Sequence, residues 1–216
     1  MATRDKPLVP RGRHAPPLEV RLTVQRERLF AAAAAVFARD GYASASAEAI
    51  AREAGMSKAT FYEHFANKEE CLLALFDAAA AVVRDAMEDA PRFARRHGSY
   101  EDRVRARITA MLAVIDGFPA HAQTLLVEVI GAGPRATQRR DQVLDEFADF
   151  LIADNLRHAP AYGAPVFRTR DDAFAVIGAI AELIGRQLRT GEPPRATGLA
   201  DVVTRVLLGT LERGAR

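Results

Sequence analysis

Residues 46–68, SAEAIAREAGMSKATFYEHFANK, set the reading of the whole chain. Their spacing predicts a short helix, a tight turn at Gly55-Met56, and a second short helix carrying Lys58, Thr60, Tyr62 and His64. Ile50 lies between Ala47 and Ala54 at helical spacing, and Phe61 and Phe65, four apart, share one face of the second helix. These apolar residues point to one small core, which leaves cationic, hydroxyl and imidazole groups on the flanks. Ser46 and Ser57 stand where the two helices begin and can accept from their free N–H groups, and Glu48 suits a first turn. Lys58 then falls near a helix start, where phosphates are attracted. Two helices joined by a few residues that include Gly is the helix-turn-helix arrangement, and flanks of this chemistry suit a phosphate backbone and base edges.

Upstream, a helix is predicted from about Thr23 to Arg39, with Leu29, Ala33, Val36 and Phe37 on one stripe and Gly41 as its stop. Residues 1–19, MATRDKPLVPRGRHAPPLE, hold four prolines and no apolar period, and read as a disordered basic arm. Within it, Arg11 and Arg13 flank Gly12 in a pattern suited to a narrow minor groove; a solvated tail that touches phosphates is the alternative. Residues 1–68 carry 11 Lys/Arg against 7 Asp/Glu, while residues 69–216 carry 19 against 21. A basic front on a near-neutral body is the footprint of a nucleic-acid-binding module attached to something else.

The run GYASASAEAIAREAGMSKATFYEHFANKEECLLALF (41–76) resembles the DNA-binding region of the TetR family of bacterial regulators. The matching elements are Phe37, Gly41-Tyr42, Ile50-Ala51, Ala54 to Ser57, Phe61-Tyr62, His64-Phe65 and Asn67 to Glu69. Ser46 departs from the family's usual threonine, but either hydroxyl can cap. The resemblance implies that Tyr62 and Lys68 contact phosphates, and that Lys58, Thr60 and His64 meet phosphates or base edges. Ala59 stands at a position that varies with operator sequence, and with Ser46 and Ser57 completes the candidate DNA surface. By the chemistry of base edges, Lys58 suits a guanine and Thr60 a thymine methyl.

From Lys68 onward the chain reads as amphipathic helices: 68–89, one opened by Ser99 and Asp102 as a capping box, a short one to about Ile130, one ending near His158, then 169–188 and 197–213. Small residues Ala175, Gly178, Ala181 and Gly185 mark the first of the last pair, and a wide apolar face marks the second. Either this pair covers the chain's own core or, as the resemblance implies, it joins a twin chain in a four-helix bundle. Phe76, Met111, Phe118, Leu125, Phe147, Phe150 and Phe174 are candidates for lining a ligand pocket, although such residues also serve as ordinary core. Glu128, inside an apolar run, requires a partner if buried: Arg135, Arg139 or Arg140, or a cationic or hydroxyl-bearing effector.

The expected architecture is therefore all-α, with a three-helix helix-turn-helix module over 20–67 and a larger regulatory and dimerisation domain over 68–216. No apolar run reaches membrane-spanning length and no secretory segment precedes the module, so a cytoplasmic location is expected. The single cysteine, Cys71, excludes an internal disulfide and reads as an inert thiol. Catalytic motifs are missing, no cofactor or metal is implied, and Asp154 with His158 reads as a helix-end pair rather than the start of a metal site. The resemblance implies a homodimeric repressor on a pseudo-palindromic operator, released by a small molecule. Two rivals are a ligand-independent architectural DNA binder and an enzyme or protein-binding module that keeps the helix-turn-helix as an interaction surface.

Overall fold

The computed structural model describes residues 17–90 and 98–211, and its regular elements are α-helices with short 3-10 turns between some of them. Helix α1 (Leu18–Asp40) precedes the pair α2 (Ala47–Glu53) and α3 (Lys58–His64), and α4 (Lys68–Asp89) follows. The chain continues through α5 (Tyr100–Gly117), α6 (Pro119–Leu126), α7 (Pro134–His158), α8 (Arg170–Thr190) and α9 (Ala200–Gly209). This is the all-α architecture expected, with the helix-turn-helix at the front.

The helix starts follow local chemistry. The Ser46, Ser57 and Asn67 side chains accept from the N–H of Ala49, Thr60 and Glu70, and Ser99 with Asp102 and Thr169 with Asp172 form reciprocal capping boxes. Gly55 holds φ +67 in the turn between α2 and α3, a left-handed conformation that favours glycine. Its N–H reaches Arg52 and that of Met56 reaches Ala51, which closes α2.

Two boundaries differ from expectation. Helix α1 begins at Leu18, not Thr23, so the helix enters the stretch assigned to the arm. Leu18, Val20, Leu22 and Val24 are exposed there, so no buried stripe marks that turn. The last helix is shorter than 197–213: residues Ala196–Leu199 form a 3-10 turn, and α9 ends at Gly209. The Asp116 carboxylate accepts from the N–H of Ala196 and Thr197 at 2.6 and 3.2 Å, so those groups are held at the end of α5.

Packing crosses the expected boundary at residue 68. One core cluster joins Leu29, Phe37, Ile50, Phe61 and Phe65 to Leu72, Leu75 and Phe76 of α4, and to Leu125 and Val129 beyond them. Helix α1 lies on α6, where buried Thr124 donates to the Ala34 carbonyl at 3.1 Å. A second cluster gathers α5, α7, α8 and α9 around Leu112, Ala148, Val176 and Val203. The module and the body therefore share a wall through α1, α4 and α6.

Candidate nucleic-acid interface and ligand cavity

Helix α3 buries Phe61 and turns its other side outward. Lys58, Ala59 and Tyr62 are exposed, Thr60 and His64 half-buried. Phe61 meets Phe65 at 5.6 Å between ring centroids and Tyr62 edge-on at 5.5 Å. Lys58 lies 5.7 Å from the Tyr62 ring and pairs with Glu48, which holds that carboxyl below its ordinary range. Both partners are exposed, so the pair contributes little and a phosphate can displace it. Ser57 is occupied as a cap, with Thr60 Oγ1 3.0 Å from its hydroxyl, and His64 Nε2 stands 3.2 Å from the Gln25 side-chain oxygen. Ser46 is likewise a half-buried cap. Arg11 and Arg13 lie outside the described residues.

Lys68 has a different environment from the one expected. Its ammonium donates to the carbonyls of Tyr42, Ala43 and Ala45 at 2.8, 3.2 and 2.8 Å, and sits 4.5 Å from the Tyr42 ring centroid. An ammonium has three donors, and all three are used within the protein. The residue staples the α1–α2 connection to α4; this arrangement leaves no N–H for a phosphate.

Behind the module lies a cavity of about 750 Å3. Thr23, Arg26, Glu27, Phe30 and Ala31 of α1 form one wall, α4, α5, α6, α7 and α8 supply most of the rest, and Leu207 of α9 completes it. Phe76, Met111, Phe118, Leu125 and Phe147 line it, as do Val83, Met87, Ile108, Leu144, Ile177 and Ile180, which are not among the expected pocket residues. Those residues share the inward stripes, but periodicity gives only the inward face, not the empty space beyond it. Polar groups are few and stand apart: Thr23, Arg26 and Glu27 on α1, His121 on α6 and Arg140 on α7. Burial lowers the His121 imidazole below its ordinary value, which favours its neutral form. Such a lining suits a large, mainly apolar molecule.

Three expected cavity residues lie elsewhere. Glu128 does not line the cavity; it accepts from Gln123 Nε2 at 3.3 Å and faces Gly41 at the end of α1. The arginines proposed for it are engaged otherwise: Arg135 with Glu69 and Glu70, Arg139 with Asp77 and Glu146, Arg140 with Asp141. Phe150 is turned away, 5.5 Å from the Arg107 guanidinium, and Phe174 is exposed on the outer side of α8. One position along an α-helix turns a side chain by about 100°, so Phe150, next to cavity-lining Leu151, and Phe174, next to buried Ala173, leave the face their neighbours share.

Cys71 is buried, and its thiol is pushed up to about 12 by burial, as an inert thiol requires. Asp154 and His158 do pair, at 2.7 Å, but the same carboxylate oxygen also serves Arg107 and Arg103.

A helix-turn-helix module fused to a helical body with an internal cavity defines a DNA-binding regulator. Residues 29–75 match the family model of bacterial regulatory proteins, tetR family. The fold is similar to that of the fatty acid degradation regulator FadR from Bacillus halodurans, with TM-score 0.73 and 20% identity over 86% of this chain and 99% of that one. FadR from Bacillus subtilis, solved in complex with stearoyl-CoA, gives TM-score 0.70 and 18% identity over the same shares. The TetR family regulator PfmR from Thermus thermophilus gives 0.63 and 26% over 88% of this chain and 98% of that one. Residues 29–75 are thus a DNA-binding domain of the tetR family type, and the chain shares the fold of TetR-family transcriptional regulators.

Proposed function

We propose that the chain is a homodimeric repressor that leaves its operator when a long apolar ligand enters the cavity. The observation that carries this reading is the cavity wall itself: five residues of α1, the first helix of the DNA-binding module, face the same space as α4 to α8. A ligand packed there touches the module directly, and Arg26, at the wall, also stands 5.5 Å from the Phe65 ring centroid at the end of α3. Filling the cavity would therefore favour one placement of α1 and α4 over another, and a ligand shifts such an equilibrium only by its differential affinity for the two states. The stearoyl-CoA bound by the Bacillus subtilis structure supports a fatty acyl compound as the ligand class. In the dimer, two α3 helices would enter successive major grooves about 34–36 Å apart on a pseudo-palindromic site. Lys58, Thr60 and Tyr62 would make the contacts, with Ser57 and Ala59 allowing close approach.

The test is selection of an operator from genomic DNA, followed by titration of the protein–DNA complex with stearoyl-CoA and with coenzyme A alone. Release by the acyl compound, and loss of binding in Tyr62→Ala and Lys58→Ala, is the expected result. Operator affinity that no acyl compound alters would return the ligand-independent DNA binder to first place.

A further inference from the structure

A second cavity, also about 750 Å3, lies at the end of α5 and α7 away from the helix-turn-helix, and the proposed repressor function makes no use of it. Arg103, Arg107, Arg157, His158, Asp154 and Glu88 line it. Their charges do not cancel. A single oxygen of Asp154 meets Arg107 at 2.7 Å, His158 Nδ1 at 2.7 Å and Arg103 at 3.4 Å. Glu88 stands at the exposed edge, and Arg157 makes no ion pair among the described residues. Three guanidiniums face two carboxylates before any proton on His158 is counted.

Hydrogen bonding shows the same deficit. The Nε–H groups of Arg103 and Arg107 are buried and donate to nothing, and Arg107 is only 8% exposed. Buried donors without an acceptor are rare and costly, and a guanidinium can only donate. Those two N–H groups are closed off from the cavity itself, so an anion there would meet the outer guanidinium nitrogens, whose charge Asp154 and Glu88 do not balance. Phe150 stacks beside Arg107 at 5.5 Å and holds the guanidinium at the cavity wall. Converging arginines match the several oxygens and the charge of about −2 on a phosphate group.

We propose that this cavity is an anion site for a phosphate-bearing small molecule, held by Arg103, Arg107 and Arg157. It does not depend on what fills the apolar cavity, so either proposal can fail alone. Isothermal titration of the full chain with inorganic pyrophosphate, at constant ionic strength in phosphate-free buffer, tests it. One saturable site per protomer is expected. Arg157→Gln, an exposed change that leaves the core intact, weakens it about tenfold, and Arg103→Gln up to about a hundredfold. Asp154→Asn removes the competing carboxylate and tightens it. Coenzyme A and stearoyl-CoA carry the same diphosphate on larger scaffolds. Tighter binding of either than of pyrophosphate, again weakened in Arg157→Gln, makes the phosphate part of an organic ligand; affinity equal to that of pyrophosphate makes it a free anion. No saturable binding of any of the three, or binding indifferent to both arginine changes, overturns the proposal and leaves the cluster a purely internal ion-pair network.

Discussion

Lys68 shows how much a single side chain depends on its surroundings. Read along the sequence, it is a lysine at a phosphate-contacting position, and Lys68→Ala should flatten the salt dependence of DNA binding by about one ion per protomer. The three carbonyls around its ammonium change that expectation. Removing it strands the carbonyls of Tyr42, Ala43 and Ala45 and costs about 1.5–3 kcal/mol. Lys68→Ala is therefore expected to lower Tm by roughly 3–12 °C while the salt slope of the protein that remains folded stays unchanged. A flattened slope with an unchanged Tm would return Lys68 to the phosphate. Ser46 and Ser57 are similar: their hydroxyls are committed to helix starts, so any DNA contact they make is secondary to capping.

At the scale of elements, α5 is the member on which the body is assembled, since it packs against α4, α9 and the turn before α9. Its last turn carries Asp116, whose carboxylate takes hydrogen bonds from the Ala196 and Thr197 N–H groups and the Thr197 hydroxyl, with Arg195 nearby. Burial by itself would raise this carboxyl; the Thr197 side chain, the Thr197 and Ala196 N–H groups and Arg195 outweigh it and hold it below its ordinary range. A depressed carboxyl stabilises the fold above its unfolded value of about 3.9 and loses that contribution as pH falls through the folded value. Asp116→Asn is accordingly expected to lower Tm by about 5 °C at pH 7. The gap should persist down to about pH 4 and close below it. A gap independent of pH would mean that shape, not charge, pins the α5–α9 corner.

For the whole molecule, the question is which surfaces remain for a second chain. The four small residues of α8 divide into two pairs. Ala181 and Gly185 are buried within the protomer, and a Cβ on Gly185 would approach the Leu126 carbonyl to 3.9 Å. Ala175 is exposed, and a Cβ on Gly178 would meet nothing within 4 Å. With exposed Phe174, they form a face suited to close helix packing against a twin. Gly178→Arg has room in a single protomer and none in such an interface. Light scattering is expected to give half the wild-type mass, with an unchanged helical circular dichroism spectrum and weaker operator binding. A dimer that survives would move the interface elsewhere.

The helix-turn-helix was legible because everything that makes it is local. Ser46, Gly55, Ser57, Phe61 and Phe65 act over three or four residues, and each does in space what its spacing implied. The helices of the body were legible for the same reason, from capping boxes and stripes. The start of α1 was not, because its exposed apolar residues answer to no core. What depends on distant helices meeting was hidden. The cavity exists because α1 closes against α4 to α8, and no stripe records the space between two packed faces. The arginine cluster joins residues 103 and 107 to 154, 157 and 158, positions brought together only when α5 lies along α7. The same holds for Lys68: the sequence carries the charge and its place in the motif, and the tertiary fold supplies the three carbonyls that take up its hydrogen bonds. Short-range rules of capping, turning and periodicity thus specify the module, while the sites that would bind ligands arise from long-range packing.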